Sequence, residues 1–274
     1  IGGKSSLTND PVYAVPNNVT RIEKVFLFDG LEASEARRSQ KRSVAGDAFV
    51  AALSDFFLGA AGATTRDEAF FRVIDRVFEA LEITTFEDLI SDPQAWDTLL
   101  SYCRKKLPEV SFVDFFYATR FMALPLWLLM QGLQRLPRAR VYHSLCTGYA
   151  GIAALAGARR YGARSIVTEH GIYVKERITE ISLATWIHEA NDLYVTVNSD
   201  LGALKRVWID HFHYLAQCAY RSCDRLTTLY SGNRSIQEQF GAPPHKSEII
   251  PNGSDCVAFQ PAYGKRRERL KAGP

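Results

Sequence analysis

The sequence predicts an α/β protein with a parallel sheet flanked by helices, preceded by a long block that is helical throughout. Three observations carry this. After Pro137, short β-branched or aromatic runs alternate with helical stretches, the grammar of a parallel, doubly wound sheet. Several of those runs end in turns holding glycine or polar residues, where open parallel sheets place their ligands. Between about Leu31 and Leu136, by contrast, the pattern is helix upon helix.

Taken in order, the opening (residues 1–20) is rich in Gly, Pro, Asn and Ser and reads as loop. Lys24–Asp29 (KVFLFD) reads as a short strand. Arg66–Leu81 places Phe70, Ile74, Val77, Phe78 and Leu81 along one helical stripe, and Thr65 with Glu68 offers it a capping box. Asp92-Pro93 starts a helix that must end before Pro108. In the apolar segment Phe112–Leu136, Asp114, Arg120 and Pro125 intervene. Its block Phe121–Met130 is about half of the ~20 residues a spanning helix needs, so a buried helix is expected. Arg140–Tyr142, Ser165–Thr168, Arg225–Leu229 and Ser247–Ile250 are the expected strands. Tyr149–Tyr161, a long region from Glu176 to Arg221, and Gly232–Phe240 are the helices between them.

Composition bounds the function classes. The 274 residues, 47% apolar and 23% charged, suit one large α/β domain or two small ones. A net charge of +3 gives no ground for a nucleic-acid partner, and the basic stretch Lys265–Lys271 reads as a solvated helix start or linker. The five cysteines (Cys103, Cys146, Cys218, Cys223, Cys256) form no CxxC pair or finger spacing. They read as reduced, buried thiols, which suits a cytoplasmic address.

Chemistry is sought at the strand ends: His143-Ser144 with Gly148, Thr168-Glu169-His170-Gly171, and Tyr230-Ser231-Gly232-Asn233. Gly148, Gly171 and Gly232 would let a ligand oxygen approach backbone amides, or merely permit tight turns. His170 is the sharpest candidate, since a neutral imidazole there can donate to a sugar hydroxyl or phosphate oxygen. Against this stands a half-buried histidine that bonds a carbonyl. Glu176 and Arg177 read as a structural ion pair or as a cleft lining with Arg177 as a fork. His188-Glu189 fails as a zinc motif because Asp192 stands where the second His is required. His211 and His213, two apart, read as part of an amphipathic surface. No GxSxG, P-loop or dinucleotide loop is found, so metal, serine-hydrolase and nicotinamide readings fall behind.

Two long motifs add a resemblance. TEHGIYVKER (Thr168–Arg177) resembles the TEHGIYTRER segment of PelF-like glycosyltransferases of glycosyltransferase family 4. CDRLTTLYSGNRSIQEQFGAPPHKSEIIPNGSD (Cys223–Asp255) is similar to that family's AD-x-ITTLYE-x-NR-x-x-Q-x-x-x-GA-x-P-x-K-x-x-VIPNGID. VYAVPNNV and HSLCTGYAG fit as well, and the segment 31–136 is the least diagnostic. The resemblance implies the Rossmann-like N-terminal domain of a GT-B glycosyltransferase, with residues 1–250 as the acceptor-side domain, a helical insert over about 31–136, and 251–274 as linker. It implies retaining transfer from a nucleotide sugar, a UDP-sugar, in Pel-type exopolysaccharide synthesis. No metal or other cofactor is needed, and the address is cytoplasmic, peripheral to the inner membrane. Partners would be the nucleotide sugar, a carbohydrate acceptor and an inner-membrane polysaccharide synthase complex. By that analogy His143 and His170 meet donor and acceptor, with His170 catalytic, and Glu169, Gly171 and Arg177 complete the rim. Gly148, Gly232 and Asn233 are carried as substrate-binding positions. A first strand–helix unit and a donor-binding domain are expected outside this chain, which alone would be inactive. The alternatives are a non-catalytic carbohydrate- or partner-binding module and, more weakly, a sugar-phosphate epimerase.

Overall fold

A computed structural model describes residues 14–27, 44–59, 65–185, 187, 202–253, 257 and 266. Among the described residues five helices come first: α1 (Val44–Leu58), α2 (Arg66–Ala80), α3 (Phe86–Ile90), α4 (Pro93–Lys106) and α5 (Phe112–Arg135). Then follow β1 (Val141–Ser144), α6 (Gly148–Tyr161), β2 (Arg164–Glu169), α7 (Tyr173–Ser182) and α8 (Ala203–Ser222). β3 (Arg225–Thr228), α9 (Ser231–Gln239) and β4 (Ser247–Ile249) complete the described elements. The architecture is thus a parallel α/β sheet flanked by helices, Rossmann-like in kind.

Local signals set the helix starts. Thr65 accepts the Glu68 amide at 3.2 Å while the Glu68 carboxylate accepts the Thr65 amide at 3.0 Å, closing the predicted capping box. Thr85 caps α3 by accepting the Asp88 amide at 3.1 Å while its hydroxyl donates to the Asp88 carboxylate, and Asp92 accepts from Gln94 ahead of Pro93. Helix α5 is long and apolar enough, by length and composition, to cross a membrane. In the folded chain its Met122, Leu126, Trp127 and Met130 are buried in the main core.

The four described strands run parallel in the order β1-β2-β3-β4. Every crossover therefore steps in the same direction, and right-handed connections then set the intervening helices on one face. Burial agrees: Ser144, Ser165, Val167, Glu169, Leu226 and Thr228 face inward, whereas His143 and Arg225 are exposed. The reversal of strand order that doubly wound sheets require does not occur among the described strands. One core runs from the sheet (Val167, Leu226) through α6 and α8 (Ile152, Leu215, Tyr220) to α1–α5 (Phe49, Phe70, Phe78, Trp127). The helical block is a third layer stacked on the crossover helices.

Two expected elements and one residue differ. The segment 24–27 forms no strand, because it lies along α5 rather than beside a strand: Glu23 pairs with Arg135 at 2.9 Å, and Val25 occupies the space that a side chain at Gly132 would need. Phe28 and Asp29 lie outside the described residues, as do His188-Glu189, Cys256, most of Lys265–Lys271 and the start of the helical block, 31–43. The long helix expected from Glu176 to Arg221 is broken, with α7 ending at Ser182 and α8 starting at Ala203. His211 is half-buried rather than part of an open surface. It lies inside α8 against Phe212, with Nε2 3.1 Å from the Tyr149 hydroxyl.

Burial, with Arg66 nearby, pushes the His211 imidazole down to about 3. The unfolded chain, at about 6.5, takes up that proton first, so stability is intact above 6.5 and is lost as pH falls toward 3. Urea midpoints measured across that window should fall more steeply for the native chain than for His211→Gln. Thr65→Ala, which opens the capping box, should lower unfolding free energy by ~1 kcal/mol with an unchanged urea m-value.

Candidate functional site

The strand ends bring the predicted residues to one edge of the sheet and sort them into two sets. The first set faces outward. His143 Nε2 lies 2.8 Å from Thr168 Oγ1, and Thr168 Oγ1 lies 2.5 Å from Thr227 Oγ1. This polar line crosses β1, β2 and β3, as the register dictates: Thr168 pairs with Thr227, and His143 pairs with Ile166, two residues from Thr168 on the same face. Beyond it, His170 is exposed at the end of β2, and its carbonyl accepts from Asn233 Nδ2 at 3.1 Å. That bond ties the turn after β2 to the first turn of α9. The turns of His143, His170 and Gly232 therefore belong to one sheet edge.

The second set faces inward. Glu169, expected on the rim, is wholly buried. Its carboxylate accepts from Thr147 Oγ1 at 2.8 Å, Tyr220 Oη at 2.7 Å and Gln237 Nε2 at 2.9 Å, which joins the start of α6 to the bodies of α8 and α9. The pleat explains the correction: Glu169 neighbours Thr168 and so points to the opposite face. Burial, then the adjacent Glu169 carboxylate, raises the Tyr220 phenol far above its usual range, so it stays a donor. A buried carboxylate needs such donors.

Other expectations change for local reasons. Gly148 has φ 67°, a left-handed conformation that favours glycine. The space its side chain would fill is taken by the Tyr173 ring, so the start of α6 is packed against protein rather than open to a ligand. Arg177 pairs with Glu180, not Glu176, and lies 5.1 Å over the Tyr173 ring, so its guanidinium is engaged along its own helix. Glu176 instead leans over Gly171, where an added Cβ would come within 2.8 Å of the carboxylate oxygen. Asn233 is buried and holds the His170 turn from below. Gly232 remains exposed beside Tyr230.

Cys146, in the turn after β1, is no activated nucleophile, because burial and then Glu169 and Glu176 raise its thiol above the usual range. Burial holds Cys218 up to about 12 and Cys223 up to about 11, as inert thiols. Two cavities lie elsewhere. One of about 390 Å³ sits among α1, α2, α3, α5 and α8, and is mostly apolar. Another of about 600 Å³ lies at the opposite end of the sheet, where Arg159, Arg164 and Arg221 are each paired with an aspartate. Among the described residues no group of three His, Cys, Asp or Glu side chains could hold a metal.

Thr227 was missed as a site residue. Its signal was the TT pair ending β3, read only as strand-forming residues. A family model described as a domain of unknown function (DUF3492) matches residues 1–245, and the chain belongs to that family. Neither the curated proteins nor the solved structures give a match.

Removing the Glu169 carboxylate leaves three buried donors unpaired, so Glu169→Ala should cost about 3–5 kcal/mol of unfolding free energy. Glu169→Gln should cost nearer ~1 kcal/mol, because the Thr147 hydroxyl can turn to accept from the amide. His170→Ala should change stability by less than ~0.5 kcal/mol. Chemical denaturation of the three variants checks the order.

Proposed function

We propose that this DUF3492 protein is the acceptor-side domain of a nucleotide-sugar glycosyltransferase of the PelF-like kind, with its site at the C-terminal strand ends. The observation that carries the reading is the gathering of His143, His170 and the Gly232-Asn233 turn on one sheet edge, linked by the Asn233 to His170 bond and by the His143–Thr168–Thr227 line. The motifs TEHGIYVKER and LYSGNRSIQ lie at those same ends. Strand-end turns on a parallel sheet are where such folds take ligands.

In this reading the donor is a UDP-sugar, the product is an exopolysaccharide, and the protein works in the cytoplasm beside an inner-membrane synthase complex. His143 and His170, both exposed, meet hydroxyl or phosphate oxygens, while a facing domain neutralises the leaving diphosphate. Transfer then depends on stabilising an oxocarbenium-like state once the two halves have closed and expelled water. Glu169 and Asn233 act from beneath, by holding the turns in place. Arg177 has no direct role in it.

A second reading, a carbohydrate-binding module without turnover, rests on the same exposed His143 and His170 at the strand ends. Transfer assays with a panel of UDP-sugars separate the two. In a protein carrying this chain together with its donor-binding domain, sugar should pass to an acceptor, and His170→Ala should lower turnover by ~10²-fold with the thermal midpoint unchanged. Glycan binding without any product, or full turnover by His170→Ala, would remove the transferase reading or His170's place in it. On its own the chain should give no micromolar UDP-sugar binding by calorimetry.

A further inference from the structure

His143 is exposed, yet its ring does not stand free. Nε2 is committed to Thr168 Oγ1 at 2.8 Å, and Thr168 Oγ1 in turn to Thr227 Oγ1 at 2.5 Å. A line of two hydroxyls and one imidazole nitrogen can be protonated in two directions. Either His143 Nε2–H donates to Thr168 and Thr168 donates to Thr227, or Thr227 donates to Thr168 and Thr168 donates to a bare Nε2.

Donor accounting chooses between them. Thr227 is only 7% exposed, and among the described residues its hydroxyl oxygen has no hydrogen-bond partner other than Thr168. In the first direction the Thr227 O–H is left as a buried donor with nothing to bond. In the second, every O–H in the line is used and only a spare lone pair is left over. An unmade buried donor is the costlier of the two. The tautomer of a histidine is set by what its other nitrogen bonds, so the second direction places the ring proton on Nδ1.

We infer that Thr168 and Thr227 are positioning residues that hold His143 as its Nδ1–H tautomer, and so present a fixed hydrogen-bond donor at the strand ends to an oxygen of the bound ligand. The strand geometry suits the task. Thr168 and Thr227 are register partners on adjacent strands, and both are β-branched with restricted rotamers. His143 is thereby a donor to a hydroxyl or phosphate oxygen, and it does not serve as the proton acceptor. Only the identity of that oxygen rests on the glycosyltransferase reading above. The tautomer and its cause stand on the three side chains.

The test is nitrogen-15 NMR of the imidazoles in the 274-residue chain, with the His143 signals assigned by their loss in His143→Gln. The expected result is a protonated Nδ1 and an unprotonated Nε2 in the native chain at neutral pH. Thr168→Val keeps the side-chain shape and deletes the donor, so His143 should revert to the Nε2–H form that free histidine favours. Thr168→Ser should restore the native pattern. Thr227→Val should move the ring toward Nε2–H, and it is read in place of Thr168→Val if that variant does not fold. A native Nε2–H tautomer would overturn the inference, as would an Nδ1–H tautomer that survives both valine variants. The measurement reads a nitrogen rather than a product. A chain in a protein without transferase activity but with the Nδ1–H pattern would therefore sink the functional reading alone, and an active protein with Nε2–H would sink this one alone.

Discussion

A carboxylate with no access to water is stable only while its donors are in place, and in this chain that condition binds three helices to one strand end. Glu169 sits where β2 stops, beneath the turn that carries His170, and receives one donor each from the entry to α6, from α8 and from α9. Thr228, at the end of β3, adds a bond from its hydroxyl to the Glu169 carbonyl. The crossover helices cannot shift against the sheet without stripping a partner from that charge. The exposed turn above inherits the rigidity, because the backbone of His170 follows directly and is also held by Asn233.

The division between the two faces of the sheet follows from the same place. Residues 168 and 169 are neighbours in sequence and opposites in space: Thr168 continues the outward line with His143 and Thr227, and Glu169 anchors the interior. A single alternation of the pleat thus separates surface chemistry from structural support. The helices α1–α5 form the layer beyond, sharing one core with the sheet through α6 and α8. Substitutions in α1–α5 act on the strand ends through packing, not through contact.

Much of this was legible in the residues. The stripe from Phe70 to Leu81 with Thr65 and Glu68 at its head gave α2 and its cap, and Asp92-Pro93 gave the start of α4. All four strands after Pro137 were found within a residue or two, since β-branched runs bounded by turns leave few other options. What pattern alone could not tell was direction. Glu169 looks like rim chemistry in a string of polar strand-end residues, and only pairing register puts it inside. His211 reads as surface because a polar residue two from another polar residue carries no sign of the Tyr149 hydroxyl waiting for it. The segment 24–27 has strand-forming residues but lacks a neighbouring strand, so propensity had nothing to pair with. Arg177 was placed next to the correct helix and the wrong carboxylate, because a partner three residues on shares its helical face and the adjacent Glu176 does not.

The uniform strand order has a consequence for how the chain assembles. Each new strand is laid against the one made just before it, from β1 to β4, so the sheet can lengthen at a single growing edge as the polypeptide emerges from the ribosome. Among the described strands none has to be inserted between two that have already paired. The β1–α6–β2 unit closes over a short span of chain, while β3 must wait for α7 and α8, which makes the joining of β3 to β2 the step with the largest loop to close.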